Sequence, residues 1–174
     1  MLISRNYLSQ QRQMHLNPRY GAASKKFAWA VEKLIAEHDP ASILDYGAGK
    51  GALKHGLGHA VIGRRFAEYD PAIPRMRKLP KGRFDLVCCI DVLEHIEPEC
   101  LPAVLKAIRK KTGKVAFLTV HTGPAGKALP DGRNAHLIQK PGQWWEARLR
   151  EHFDSVLMVP ENETTIFMLC EVKE

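Results

Sequence analysis

The chain has 174 residues, 45% hydrophobic and 26% charged, a length and balance that fit one globular domain and exclude a disordered chain. No apolar stretch approaches the ~18 to 20 residues needed to cross a bilayer, so no membrane partner is expected. The formal net charge of +7 biases the surface toward anionic partners without naming one.

Residues 1–23 include Arg5, Arg12 and Arg19 and contain no acid, the first being Glu32; they read as a basic arm at the start of a single domain over 1–174. There is no apolar signal core in this arm. Ser24 is placed to cap a helix whose apolar face is Phe27, Val31, Leu34 and Ile35, and Asp39-Pro40 ends it. ASILDY (41–46) reads as a short buried strand, followed by a helix from near Lys50 to the glycines at 56 and 58. RFAEY (65–69) is a second strand, closed by Asp70-Pro71, and 71–83 is irregular and rich in Pro, Arg and Lys. FDLVCCI (84–90) is a third buried strand, with a helix predicted from about Val92 to Lys111 whose first half Pro98 and Pro102 break or kink. KVAFLTV (114–120) is the fourth. Residues 122–140 hold five Gly and Pro and form a long functional loop. A helix over 141–153 begins at Pro141 and carries Trp145, Leu149 and Phe153 on one face. SVLMV and TIFMLCEV then make a hairpin around PENET. Strands alternating with helices give an α/β sandwich with a mostly parallel sheet. Cys88, Cys89, Cys100 and Cys170 show no CxxC spacing, as expected of free thiols in a reducing cytoplasm.

Between the first strand and its helix stand Gly47, Gly49 and Gly51. Bare backbone lets a ligand approach where a Cβ would clash, and free amides at a helix start favour an anionic group. Asp70 follows at the end of the next strand, where a carboxylate accepts both hydroxyls of a ribose. A nucleotide cofactor follows from this, although Gly47 to Ala52 also satisfies the looser dinucleotide pattern, which leaves NAD open. A P-loop is excluded, because no GK[ST] occurs.

The order ILDYGAGKG, EYDP, FDLVCCIDVLEHI and a closing strand pair resembles the class I S-adenosylmethionine-dependent methyltransferases, from about residue 40 onward. The resemblance implies a Rossmann-like sheet with an antiparallel last strand and S-adenosylmethionine as cofactor. By matching position it puts Asp45, Gly47, Gly49 and Gly51 at the methionine part, Asp70 at the ribose, and Asp91 near the sulfonium and the acceptor. The family places a further helix and strand, with an acid near the adenine, where only fourteen residues separate Asp70 from Asp85 here. The sheet is therefore expected to be trimmed to about six strands, with adenine contacts coming from elsewhere, such as the backbone of Pro71 to Ile73.

DVLEH sets Asp91, Glu94 and His95 at i, i+3, i+4, and the loop after the next strand brings His136. Two carboxylates and two imidazoles make a candidate divalent-metal set. This pattern resembles metal-dependent O-methyltransferases of ubiquinone synthesis and of small-RNA 2′-hydroxyls. Asp91 and Glu94 also fit a capping box, which uses the same oxygens differently. A hydroxyl acceptor needs its proton removed, and His136 is the preferred base or ligand, with His95 and Glu94 orienting it and His121 second. Trp145 reads as core and Trp144 as the freer stacking candidate; Tyr20 and Gly21 are candidates to cover the cofactor.

Arg64, Arg65, Arg75, Arg77, Lys78, Lys81 and Arg83 crowd the trimmed region, where they either guide a polyanion or form a solvated loop. No nucleic-acid motif supports the first. The expected activity is methyl transfer to a hydroxyl or other nucleophile of a small molecule, glycan or nucleotide. Methylation of RNA or DNA with metal assistance, a cofactor-binding fold without catalysis, and a nicotinamide oxidoreductase are the alternatives.

Overall fold

The computed structural model describes residues 1–173. Six strands, β1 (Ser42–Tyr46), β2 (Arg65–Tyr69), β3 (Phe84–Ile90), β4 (Thr112–His121), β5 (Ser155–Pro160) and β6 (Thr165–Glu171), form one sheet in the order β2-β1-β3-β4-β6-β5. The first four are mutually parallel, and β6 enters antiparallel between β4 and β5. The trimmed six-strand sheet and its antiparallel end match the sequence expectation.

Period-two alternation within continuous apolar runs gives both sheet faces a core. Ile43, Leu86 and Phe117 point to one side, under α2 (Ala28–His38) and α3 (Ala52–Leu57), which contribute Val31, Ile35 and Leu53. Leu44, Val87 and Leu118 point to the other, under α4 (Leu101–Lys111) and α5 (Gly142–Arg150), which contribute Val104, Ile108, Trp145 and Leu149. A third, smaller cluster of Tyr7, Leu129 and Ala135 joins α1 (Arg5–Met14) to the loop over 122–140.

Three local expectations fail for identifiable reasons. The arm at 1–23 contains a helix, α1, whose Ser4 hydroxyl accepts from the Tyr7 amide at 3.1 Å. Ser24 caps nothing: it is buried in a 3₁₀ turn over Ala23–Phe27, and α2 starts uncapped at Ala28. The helix expected from Val92 shrinks to α4. Pro98 disfavours helical geometry at Glu97, so 93–95 form only a 3₁₀ turn, and Pro102 is tolerated because it lies in the first turn of α4.

The short crossover from β2 to β3 is tied down by the basic cluster. Arg65 donates to the Lys81 carbonyl at 2.9 Å and its guanidinium lies 4.4 Å over the Phe84 ring. Arg64 donates to the Pro40 carbonyl at 2.6 Å and Arg83 to that of Thr112 at 3.0 Å. These cations fasten main chain. All four cysteines are buried free thiols, and among the described residues no helix is long and apolar enough to cross a membrane.

Candidate functional site

The carboxyl ends of β1, β3 and β4 open into a cavity of about 600 Å³. Its floor is the turn after β1. The amides of Gly47 and Ala48 both donate to the Tyr69 carbonyl, at 2.7 and 3.0 Å, which stitches this turn to the end of β2. A Cβ on Gly49 would strike the Gly21 carbonyl, which already accepts from the Lys50 amide at 2.8 Å. Gly49 also has φ +52, so only glycine satisfies both demands.

Asp70 is buried against this turn. Its Oδ2 accepts from the Gly49 amide at 3.0 Å and its Oδ1 from the Ala72 amide at 2.9 Å. Each carboxylate oxygen retains a second lone pair for a ligand. His15 Nε2 stands 3.9 Å from Oδ2. Asp91 also lines the cavity, in a left-handed conformation at φ +51 that Thr119 holds: its hydroxyl donates to Asp91 Oδ1 at 2.7 Å.

Of the residues expected at the cofactor, Gly47, Gly49, Asp70 and Asp91 line the cavity; Asp45 and Gly51 stand behind it. Strand alternation turns Asp45 away from Tyr46 into the opposite layer, where it is 1% exposed. Burial, then the Glu68 and Asp70 carboxylates, raise its pKa to about 8. The open side of Gly51 faces Glu68, with Oε1 2.5 Å from where a Cβ would lie.

The reacting side is made of side chains. Glu94, His95 and His136 each present one ligand atom, all within 4.8 Å of one another. His95 Nδ1 lies 2.8 Å from the Ala135 carbonyl and His136 Nδ1 lies 2.7 Å from that of Gly123. A carbonyl only accepts, so both hydrogens sit on Nδ1 and both Nε2 atoms carry lone pairs. Glu94 is wholly buried; Oε1 accepts from the His121 amide at 2.9 Å and Oε2 has no partner. Burial, then Asp91, push its pKa up to about 8, whereas burial, then His136, push His95 down to about 4. The set thus brings two neutral imidazoles beside a buried carboxyl group whose pKa burial raises.

The capping box is absent. Asp91 is engaged by Thr119 and Glu94 by His121, so neither satisfies a helix amide, and Asp91 is not one of the three clustered ligands. His121 flanks the cluster, its ring 5.0 Å from that of His136. Trp145 is core as expected. Trp144 packs beside it under Arg148, away from the cavity, which removes it as a stacking platform there.

The part of the roof made by α1 was not foreseen. Tyr7 donates to the His95 carbonyl at 2.6 Å, the Ser4 amide to Glu97 at 2.8 Å, and Gln10 to Asp131 at 2.9 Å, laying α1 across the opening. Tyr20 and Gly21, the candidates to cover the cofactor, line the cavity. The one sequence signal for α1 was Ser4 ahead of Tyr7, Gln10 and Gln11, the buried face at helical spacing.

This arrangement defines a class: a buried acid held beside a glycine turn on a mostly parallel sheet with an antiparallel end. The profile of the family described as "Methyltransferase domain" matches residues 19–158, and the chain belongs to that family and is a methyltransferase. No curated protein sequence matches it significantly. Among solved structures, it resembles the 1,6-didemethyltoxoflavin-N1-methyltransferase of Burkholderia thailandensis, with bound 1,6-didemethyltoxoflavin and S-adenosylhomocysteine. The TM-score is 0.69 at 16% identity, over 100% of this chain and 92% of that one. The DhpI–S-adenosylhomocysteine complex gives 0.70 at 16% identity, over 98% and 100%. Magnesium protoporphyrin IX methyltransferase from Synechocystis, with bound S-adenosylmethionine, gives 0.62 at 16% identity, over 86% and 79%. The family match decides between the nucleotide classes left open by the glycines.

Proposed function

We propose that the cleft binds S-adenosylmethionine and that the chain transfers a methyl group to a hydroxyl or other nucleophile of a small molecule, glycan or nucleotide. The observation that carries this is the Asp70 carboxylate. Two amides hold it beside the glycine turn, with a lone pair on each oxygen to spare, in the same cavity as Glu94, His95 and His136. Asp70 would hold the ribose, the main chain at Gly47 and Gly49 the methionine part, and Asp91 would lie toward the sulfonium. The cofactor supplies an activated methyl group, so alignment is the main task left to the protein. His136, neutral because burial lowers its pKa, takes the acceptor's proton on Nε2, with His95 beside it and Glu94 behind. Helix α1 keeps water from the reacting side.

Calorimetry with S-adenosylhomocysteine against NAD tests the reading. Binding of the first and not the second is expected; the reverse overturns it.

The Glu94, His95 and His136 cluster favours an addition to this reading. Two Nε2 atoms and an unpartnered, buried carboxylate oxygen suit a divalent ion of the zinc, manganese or cobalt type, with the Nδ1–carbonyl bonds fixing both rings. Such an ion lowers the pKa of an acceptor hydroxyl. Turnover should vanish in EDTA and return with added cation. Full turnover in chelator ends the metal proposal and leaves His136 as the base.

A further inference from the structure

β2 is an edge of the sheet, and only fourteen residues lead from Asp70 to Asp85, so no neighbouring strand walls the cavity beyond Asp70. The first residues of the chain line the same cavity. Leu2 lines the cavity and packs on the core cluster that contains Tyr46, Tyr69 and Val104. Ile3 also lines the cavity and packs against the cluster of Tyr7, Leu129 and Ala135. Ser4 pins both: its amide donates to the buried Glu97 carboxylate at 2.8 Å and its hydroxyl caps α1.

The cavity lining is mixed in polarity. Around Gly47, Asp91, Glu94 and the histidines the lining is hydrogen-bonding. The rest of the lining combines polar groups, Gln11, Arg19, Lys26 and Glu97, with an apolar set, Leu2, Pro71, Ala72, Ile96 and Val104. A nucleoside gripped by its ribose at Asp70, with its sulfonium toward Asp91, must send its base away from the polar side. A flat purine gains most by covering aliphatic surface there.

We propose that Leu2, with Ala72 and Ile96, forms the wall against which the cofactor's adenine rests, so that the start of the chain replaces the trimmed part of the sheet. This rests on the reading that the cleft binds S-adenosylmethionine.

The test is calorimetry on the full chain with two probes. One is S-adenosylhomocysteine; the other is 5′-methylthioadenosine, which keeps adenine and ribose and lacks the amino acid. Leu2→Ser should weaken both by the same factor, about 10-fold. In Leu2→Trp the extra indole emission should fall when methylthioadenosine binds. Unchanged affinities in Leu2→Ser, a loss confined to S-adenosylhomocysteine, or unaltered emission in Leu2→Trp each overturn the inference. If the wild-type chain binds neither nucleoside, the cofactor reading itself falls. That result is distinct from a wild type and a Leu2→Ser variant that bind both equally well.

Discussion

On the β1–β2 side the cleft is lined largely by main chain: Gly47 and Gly49 with their amides turned onto Tyr69 and Asp70, and one carboxylate held by backbone. On the β3–β4 side it is lined by side chains, Glu94, His95, His121 and His136, borne on a 3₁₀ turn, a strand end and a long loop. The first side is fixed by the sheet itself. The second needs α1 and the loop over 122–140 to pack together before its groups converge, since Tyr7 and Ala135 hold His95 by its own carbonyl and by Nδ1. Binding and turnover should therefore separate by side.

The sharpest separation comes from His136→Ala, which should lower kcat by about 1000-fold while calorimetry shows unchanged affinity for S-adenosylhomocysteine. A matching loss of cofactor affinity would break the division. Asp70→Ala acts on the opposite side: affinity for S-adenosylhomocysteine should fall by about 100-fold, with kcat at saturating cofactor much less affected. Tyr7→Phe removes one hydrogen bond to the His95 carbonyl, and should reduce kcat about fivefold with cofactor affinity intact.

The smallest effect concerns stability. Asp45 in the fold titrates near pH 8, far above its ordinary value near 3.8, so the folded state holds a proton that the unfolded chain releases. Its contribution is whole below the lower value and is lost as pH rises toward the higher one. In thermal melts Asp45→Asn should gain on the wild type by a few degrees between pH 5 and pH 8. Parallel curves would show that Asp45 keeps an ordinary pKa.

The same division governs how much could be read from sequence. Strands declare themselves through apolar runs bounded by breakers, and each of the six lies within two residues of its expected place. Asp70 was legible because a strand end positions it. The placement of Asp45 was not legible, because family position says nothing about which face of β1 a side chain takes, and alternation with Tyr46 sends it behind the cleft. The histidine cluster was visible as residue types, but DVLEH suggested a helix that Pro98 prevents, so the capping reading fell while the grouping of Glu94, His95 and His136 held. Helix α1 hid because its buried face includes Gln10 and Gln11, polar residues with no apolar stripe to betray them.

Gly21 lies well outside the glycine motif, yet it shares a seam with it. It too has positive φ, and a Cβ there would lie 2.6 Å from the His15 ring and 3.3 Å from the Gly49 Cα. The two positions touch back to back, so neither tolerates bulk unless the other retreats. Any homologue that enlarges one should have lost or lengthened the segment bearing the other, which makes residue 21 a marker for relatives that keep this cap.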